Sequence, residues 1–225
     1  MQETQSFIFQ DSKELRRSVI DACLYLSRIG FCVGTWGNIS VRLKNGLLIT
    51  PSRVDYSAMK EDDLVVCDWE GVKVSGHRPP SSEMHLHRML MLRRPDMGAI
   101  VHTHSTFASV LAVTGASIPV IVEDMAQIIG GEVRCTPYRP GGKHIELATV
   151  ACDTIGNDAM AVLLANHGPV AGGRDLAEAV VACEVLEKAA KLRVFSGLVG
   201  PLQLISGDEA TEERNRFLYK YGKEE

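Results

Sequence analysis

No excess of charge of either sign marks this 225-residue chain: 24 Lys and Arg stand against 28 Asp and Glu, a net of −4. That balance gives no general attraction to nucleic acid or to an anionic membrane. Long apolar runs are missing as well. The longest, Ala159–Ala165, is far short of the ~20 residues that span a bilayer. The opening stretch MQETQSFIFQDSKELRRS has no basic start followed by an apolar core, so no secretory signal is expected. Six cysteines are scattered without a CxxC, which argues against a disulfide framework and for reduced, buried thiols in a cytoplasmic protein. Neither a Walker-type Gly-Lys-Ser/Thr nor a GxGxxG occurs, so nucleotide chemistry has no support. With no repeat, low-complexity tract or Pro/Ser-rich linker, the expectation is a single domain over residues 1–225, with a polar tail from about Gly207.

What is present alternates between helical and strand patterns. Residues 11–29 carry apolar positions at helical spacing, with Asp11 and Glu14 resembling a capping box and Gly30 as terminator. Ile39–Leu43 and Leu47–Thr50 flank Lys44-Asn45-Gly46, a hairpin signal, and Leu64–Cys67 with Val72–Val74 form a second short pair. Ser81–Arg93 reads as a helix stopped before Pro95, followed by a strand over Gly98–Thr103 and a helix over Ser105–Ala112. Glu123–Ile129 and Lys143–Ile155 read as helices, Met160–Ala165 as a buried strand, and Asp175–Phe195 as a long helix capped by Asp175. The class is α/β around a sheet that the hairpins make at least mixed.

Four of the seven His fall between residues 85 and 104. In Val101-His102-Thr103-His104 two imidazoles two apart on a strand share a face and reach one point, which starts a transition-metal site. A pair of surface or core histidines is the plainer reading. His167, in Asn166-His167-Gly168-Pro169, follows a second buried strand, where Gly-Pro is expected to form a turn that holds the ring at the sheet rim. Three His with an open fourth position is the arrangement of a catalytic zinc. Proton chemistry there needs a carboxylate. Pro79-Pro80-Ser81-Ser82-Glu83 supplies one in a first helical turn, where an acid is also favoured by the dipole alone, and Ser hydroxyls and N–H groups at that terminus suit an anion. His87 shares a face with Glu83 and reads as core or as a supporting residue, whereas His85 and His87 lie on different faces. Gly34-Thr35-Trp36-Gly37-Asn38 is either a tight bend or a loop offering N–H groups and the Asn38 amide to a phosphate, and Thr50-Pro51-Ser52-Arg53 adds a cation suited to phosphate.

In order, GTWGNIS, ITPS, PPSSE, VHTHS and NHG resemble the class II aldolase/adducin-like family over roughly residues 11–195, most nearly its fuculose-phosphate-type zinc aldolases. The resemblance implies a three-layer α/β/α domain around a mostly antiparallel sheet, and a homotetramer with active sites at subunit interfaces. It implies Zn²⁺ held by His102, His104 and His167, with Glu83 as acid/base and Thr35, Asn38, Ser52, Ser81 and Ser82 around a phosphate. Arg53 stands where many members have Gly, and either a new phosphate contact or a surface change accounts for it. Tyr221 matches a tail tyrosine that moves a proton, with Tyr219 and Asp124 as other candidates. Glu123-Asp124-Met125 replaces an aromatic stretch, leaving the aldehyde-side pocket open. The implied reaction is reversible cleavage of a ketose or deoxyketose 1-phosphate to dihydroxyacetone phosphate and a small aldehyde, through a metal-stabilised enediolate. For proton transfer near neutral pH, the Glu83 pKa is expected to be raised by burial. A dehydratase acting on methylthioribulose 1-phosphate, a ribulose-phosphate 4-epimerase and a non-catalytic adducin-like interaction domain are the alternatives.

Overall fold

A computed structural model of the chain describes residues 7–220. Among these residues seven helices and seven strands follow in the order α1 (Lys13–Arg28), β1 (Asn38–Leu43), β2 (Gly46–Ile49), β3 (Val65–Asp68), β4 (Lys73–Ser75), α2 (Met84–Arg93), β5 (Ala99–His102), α3 (Thr106–Thr114), α4 (Glu123–Ile128), α5 (His144–Ile155), β6 (Ala161–Leu164), β7 (Gly168–Gly173), α6 (Leu176–Ser196) and α7 (Gly207–Tyr219). The strands form one sheet in the order β4-β3-β2-β1-β5-β7-β6. Every neighbouring pair is antiparallel, which takes the expectation of a mostly antiparallel sheet to its limit. Hairpin meanders build both flanks, and β5 enters between them antiparallel to each. Among the described residues, parallel pairing is confined to the isolated bridges Phe9–Leu43 and Cys135–Leu163.

The period of two along the strands sorts the core into two layers. Ile39, Val41, Leu48, Ala99, Val101, Ala161 and Leu163 face the layer that includes residues of α1, α3 and α6. Leu47, Ile49, Val65, Ile100, Val162 and Leu164 face the layer of α2 and α5. Each fully buried aliphatic side chain contributes ~1.5–3 kcal/mol, so a one-residue slip would exchange both layers at once and is strongly opposed. The result is the three-layer α/β/α arrangement. β1 is the exception to the apolar rule on one side: Asn38, Ser40 and Arg42, all buried, point at the α2 layer.

Several local expectations need revision. Ser12, not Asp11, caps α1 by accepting from the Leu15 N–H at 3.2 Å, while Asp11 holds Arg16 with two bonds of 2.7 Å. In the first hairpin Leu43 pairs with Gly46, so Lys44 and Asn45 form the loop. Gly46 serves a close approach instead, since a Cβ there would lie 1.9 Å from the Cys67 carbonyl oxygen. Helix α2 starts three residues late, at Met84, with Glu83 in the N-cap position. The Gly168-Pro169 pair opens strand β7, and the turn before it is made by Asn166 in the left-handed region at φ 58°. The polar tail is helix α7, started by a capping box in which Ser206 and Glu209 exchange bonds. Its Ala210 is buried with Val120 and Ala126.

Candidate active site

His102 is the last residue of β5, His104 follows two residues on, and His167 sits in the β6–β7 turn. Antiparallel pairing of β5 with β7 brings the two segments together. The three rings stand edge-to-face, with centroids 4.8–5.1 Å apart, and one ligand nitrogen from each lies within 4.8 Å of the others. Gly168 lets the turn come this close: a Cβ there would be 2.5 Å from the Thr103 carbonyl oxygen.

The donor set fits a divalent transition metal. His102 Nδ1 lies 2.9 Å from the Pro169 carbonyl oxygen, which can only accept, so Nδ1 carries the proton and Nε2 keeps its lone pair. That Nε2 faces His104 Nε2 at 3.0 Å. Nitrogens around a tetrahedral ion at ~2.0–2.1 Å stand about 3.3 Å apart, so the spacing of this pair matches shared ligation. Burial, then the neighbouring His102 and His167, hold the His104 pKa down to about 4 against the pull of Glu83. Burial likewise lowers that of His167. Near neutral pH both rings are therefore in the uncharged form that ligates.

Glu83 completes the cluster. Its Oε1 lies 3.3 Å from His167 Nε2, and its Oε2 lies 3.5 Å from His102 Nε2. Burial alone would raise its pKa. The facing His102 and His167, the amide of Asn38 and His87 overturn that and hold it at about 2. The expectation of a raised value is corrected: the carboxylate is kept ionised, in the form that accepts a proton.

Above this cluster opens a cavity of about 490 Å³ whose wall includes Thr35, Ser52, Arg53, Ser81, Ser82 and Glu83. With Asn38, all six residues expected at a phosphate thus line one space. The Asn38 amide also supports the carboxylate: Nδ2 donates one hydrogen to Glu83 Oε2 at 2.7 Å and Oδ1 faces His87 Nε2 at 2.5 Å, which leaves the second N–H of the amide for another acceptor. Trp36, 64% exposed, lies parallel to the His104 ring at the wall. Gly141 and Gly142, in the turn before α5, and His144, its first residue, also line the cavity. None of them was singled out by the sequence; the Pro140-Gly141-Gly142 run ahead of the helix is the signal that could have marked a loop there. Asp124 pairs with Lys188, and neither it nor Tyr219 lines the cavity. Tyr221 lies outside the described residues.

Residues 17–194 match the family described as Class II Aldolase and Adducin N-terminal domain. Over 204 residues the chain is 41% identical to a 5-methylthioribulose-1-phosphate/5-deoxyribulose-1-phosphate aldolase of Rhodospirillum rubrum, covering 90% of each protein. Among solved structures, an L-fuculose 1-phosphate aldolase superposes with a TM-score of 0.87 at 34% identity, over 93% of this chain and 98% of that one. The L-fuculose-1-phosphate aldolase of Thermus thermophilus superposes with a TM-score of 0.74 at 26% identity, over 85% and 100%. The chain belongs to the class II aldolase and adducin N-terminal domain family, and within it to the lyase enzymes.

Proposed function

We propose that this chain is a zinc-dependent aldolase that reversibly cleaves a 5-deoxyketose 1-phosphate, of the 5-deoxyribulose or 5-methylthioribulose kind, to dihydroxyacetone phosphate and a two-carbon or methylthio-substituted aldehyde. The observation that carries the reading is Glu83, with its oxygens 3.3 and 3.5 Å from two of three convergent imidazoles, at a cavity edged by hydroxyls and one Arg. The relative of 41% identity supports the substrate class.

His102, His104 and His167 would hold the ion, which supplies Lewis-acid polarisation of the substrate carbonyl. Thr35, Ser52, Ser81 and Ser82 hold the phosphate by hydroxyl and N–H donors, and Arg53 adds a charge-assisted bond. This fixes the substrate's register against the ligand cluster. Cleavage breaks the C3–C4 bond. The C4 hydroxyl loses its proton as C4 becomes the aldehyde, and Tyr221 takes up that proton. The electron pair left on C3 receives a proton from the carboxyl of Glu83, the reverse of the condensation step, so the carboxyl must first have taken up a proton from solvent while Tyr221 returns the C4 hydroxyl proton to solvent. In condensation the Glu83 carboxylate abstracts that same proton. The ionised state of the carboxylate favours this direction.

The same reading extends to the assembly. One domain, as a cytoplasmic homotetramer, fits an exposed Trp36 at the cavity wall, a surface that a neighbouring subunit would cover. Among the described residues no helix is long and apolar enough to cross a membrane.

The test is condensation. Zinc-loaded protein is mixed with dihydroxyacetone phosphate and either acetaldehyde or methylthioacetaldehyde, and products are read by mass. A product heavier than dihydroxyacetone phosphate by the whole aldehyde supports the reading. No product with either aldehyde, from protein carrying stoichiometric metal, overturns it.

A further inference from the structure

A buried polar seam joins β1 to α2, and its members lie at matching periods. On the strand, Asn38, Ser40 and Arg42 are two apart. On the helix side, Glu83, His87 and Met91 are four apart and so stack on one face. The bottom of the seam is structural: Arg42 donates to the carbonyls of Met91, Arg94 and Met97 at 2.5, 3.0 and 2.9 Å. The top is a chain of side chains ending on Glu83. Ser40 Oγ lies 2.6 Å from His87 Nδ1, His87 Nε2 lies 2.5 Å from Asn38 Oδ1, and Asn38 Nδ2 donates to Glu83 Oε2 at 2.7 Å.

The direction of this chain follows from its acceptors. A carboxylate only accepts, so the Asn38 NH₂ must face Glu83 and its carbonyl must face His87. That carbonyl needs a donor, which places a proton on His87 Nε2. A neutral imidazole has one proton, so Nδ1 accepts and the Ser40 hydroxyl donates to it. His87 is fully buried. Burial, against the pull of Glu83 and with the repulsion of His102, keeps the ring neutral by holding its pKa to about 3. Every polar atom along the chain then has one partner of the right kind.

We propose that His87 and Ser40 are positioning residues for Glu83: their one-way hydrogen-bond chain through Asn38 holds Oε2 and leaves Oε1 turned toward His167 and the cavity. This rests on Glu83 as the group that exchanges a proton with substrate carbon. Without the chain, the Asn38 amide is free to rotate and present its oxygen to the carboxylate, and Glu83 loses its fixed orientation. Arg42 anchors the same helix lower down, so His87 is not required merely to attach α2.

The experiment compares H87F, H87Q and S40A in zinc-loaded protein. H87F fills the space without polar atoms, whereas H87Q restores an N–H donor toward Asn38 Oδ1. Two rates are measured: deuterium exchange at C3 of dihydroxyacetone phosphate, which needs no aldehyde, and condensation with acetaldehyde. H87F is expected to lower kcat and the exchange rate by ~10–100-fold, the usual effect of losing such a supporting partner, with KM and zinc content unchanged. H87Q is expected to recover most of that loss, and S40A to fall between. H87F at wild-type rate, or H87Q no better than H87F, overturns the proposal. A spectroscopic signature covers the case in which H87F fails to fold. In ¹⁵N-histidine-labelled wild type, long-range proton–nitrogen correlations are expected to show His87 neutral and protonated at Nε2. A proton on Nδ1, or on both nitrogens, overturns it. Should the wild type neither exchange nor condense, the proposed function fails, while the tautomer still judges the chain.

Discussion

Glu83 is held by its neighbours rather than by its position on a helix. As an ordinary first-turn acid it would gain a few tenths of a kcal/mol from the dipole. Instead it stands one residue outside α2, with an amide on one oxygen and an imidazole 3.3 Å from the other. Glu83→Gln keeps the shape and removes the proton-accepting charge. It is expected to lower turnover by ~10²–10⁴-fold with zinc content unchanged by metal analysis. The buried histidines carry a second prediction at this scale, for metal-free protein. In the fold, His87 and His104 stay neutral down to about 3 and about 4, whereas in the unfolded chain they take up protons near their ordinary 6.5. The unfolded state therefore binds more protons, and stability falls as pH drops from about 6.5, by up to ~1.4 kcal/mol per pH unit for each. Glu83 has the opposite charge type and the same outcome. Held at about 2 against an ordinary 4.5, its stabilisation is complete above 4.5 and is lost as pH falls toward 2. Urea midpoints between pH 7 and 4.5 isolate the histidines. H87F should flatten that slope, and an unchanged slope would refute the assignment.

Among the elements, those with strong caps and one apolar stripe were legible and the others were not. Helix α6 declared itself by Asp175 at its start, and both α1 and α6 by buried positions such as Val19, Cys23 and Leu26, or Ala179, Cys183 and Leu186, at helical spacing, although the α1 cap was misplaced by one residue onto Asp11. Helix α7 did not, because only Ala210 of its thirteen residues is buried and its polar surface reads as a tail. Strand β7 was hidden by its composition. Gly168-Pro169-Val170-Ala171-Gly172-Gly173 has little intrinsic β preference, and burial between β5 and β6 overrides it. The convergence of His102, His104 and His167 was readable because a strand's period of two and a second strand end already placed its members. The Asn38–His87 link was not, because it needs the β1–α2 packing that no spacing reveals. Gly168 tests the hidden element. Gly168→Ala sets a Cβ 2.5 Å from the Thr103 carbonyl oxygen, which is backbone, so either the turn bearing His167 or the segment between His102 and His104 must move. The expected result is a loss of ~1–3 kcal/mol in urea unfolding, together with at least a tenfold drop in zinc affinity in a competition titration. A variant that binds zinc like the wild type would show that the close approach does not set the triad's geometry.

For the molecule as a whole, the proposed ion closes a loop between distant parts of the chain. His102 and His104 end a strand at the middle of the sheet, and His167 turns the hairpin at one edge, so the three meet only when β5 and β7 are paired. An ion that binds this folded set and not the unfolded chain adds RT ln(1 + [L]/Kd), which is ~2.7 kcal/mol at a hundredfold excess over Kd. For a chain of this length each kcal/mol moves Tm by ~2–4 °C, so loading is expected to raise Tm by about 5–10 °C. Chelation should reverse that shift and added zinc restore it, in calorimetry at fixed pH 7.5. His167→Ala supplies the control. It leaves two ligands on one strand end, and the ring it removes is partly exposed, so the fold should survive while the chelator loses its effect on Tm. If the variant and the wild type respond equally to chelation, the ion sits elsewhere. The charge balance bears on the same comparison. In a chain of net −4, a nonspecific electrostatic gain from a divalent cation would be screened away by 0.5 M salt, whereas ligation by three imidazoles would persist, so the Tm difference should remain at high salt.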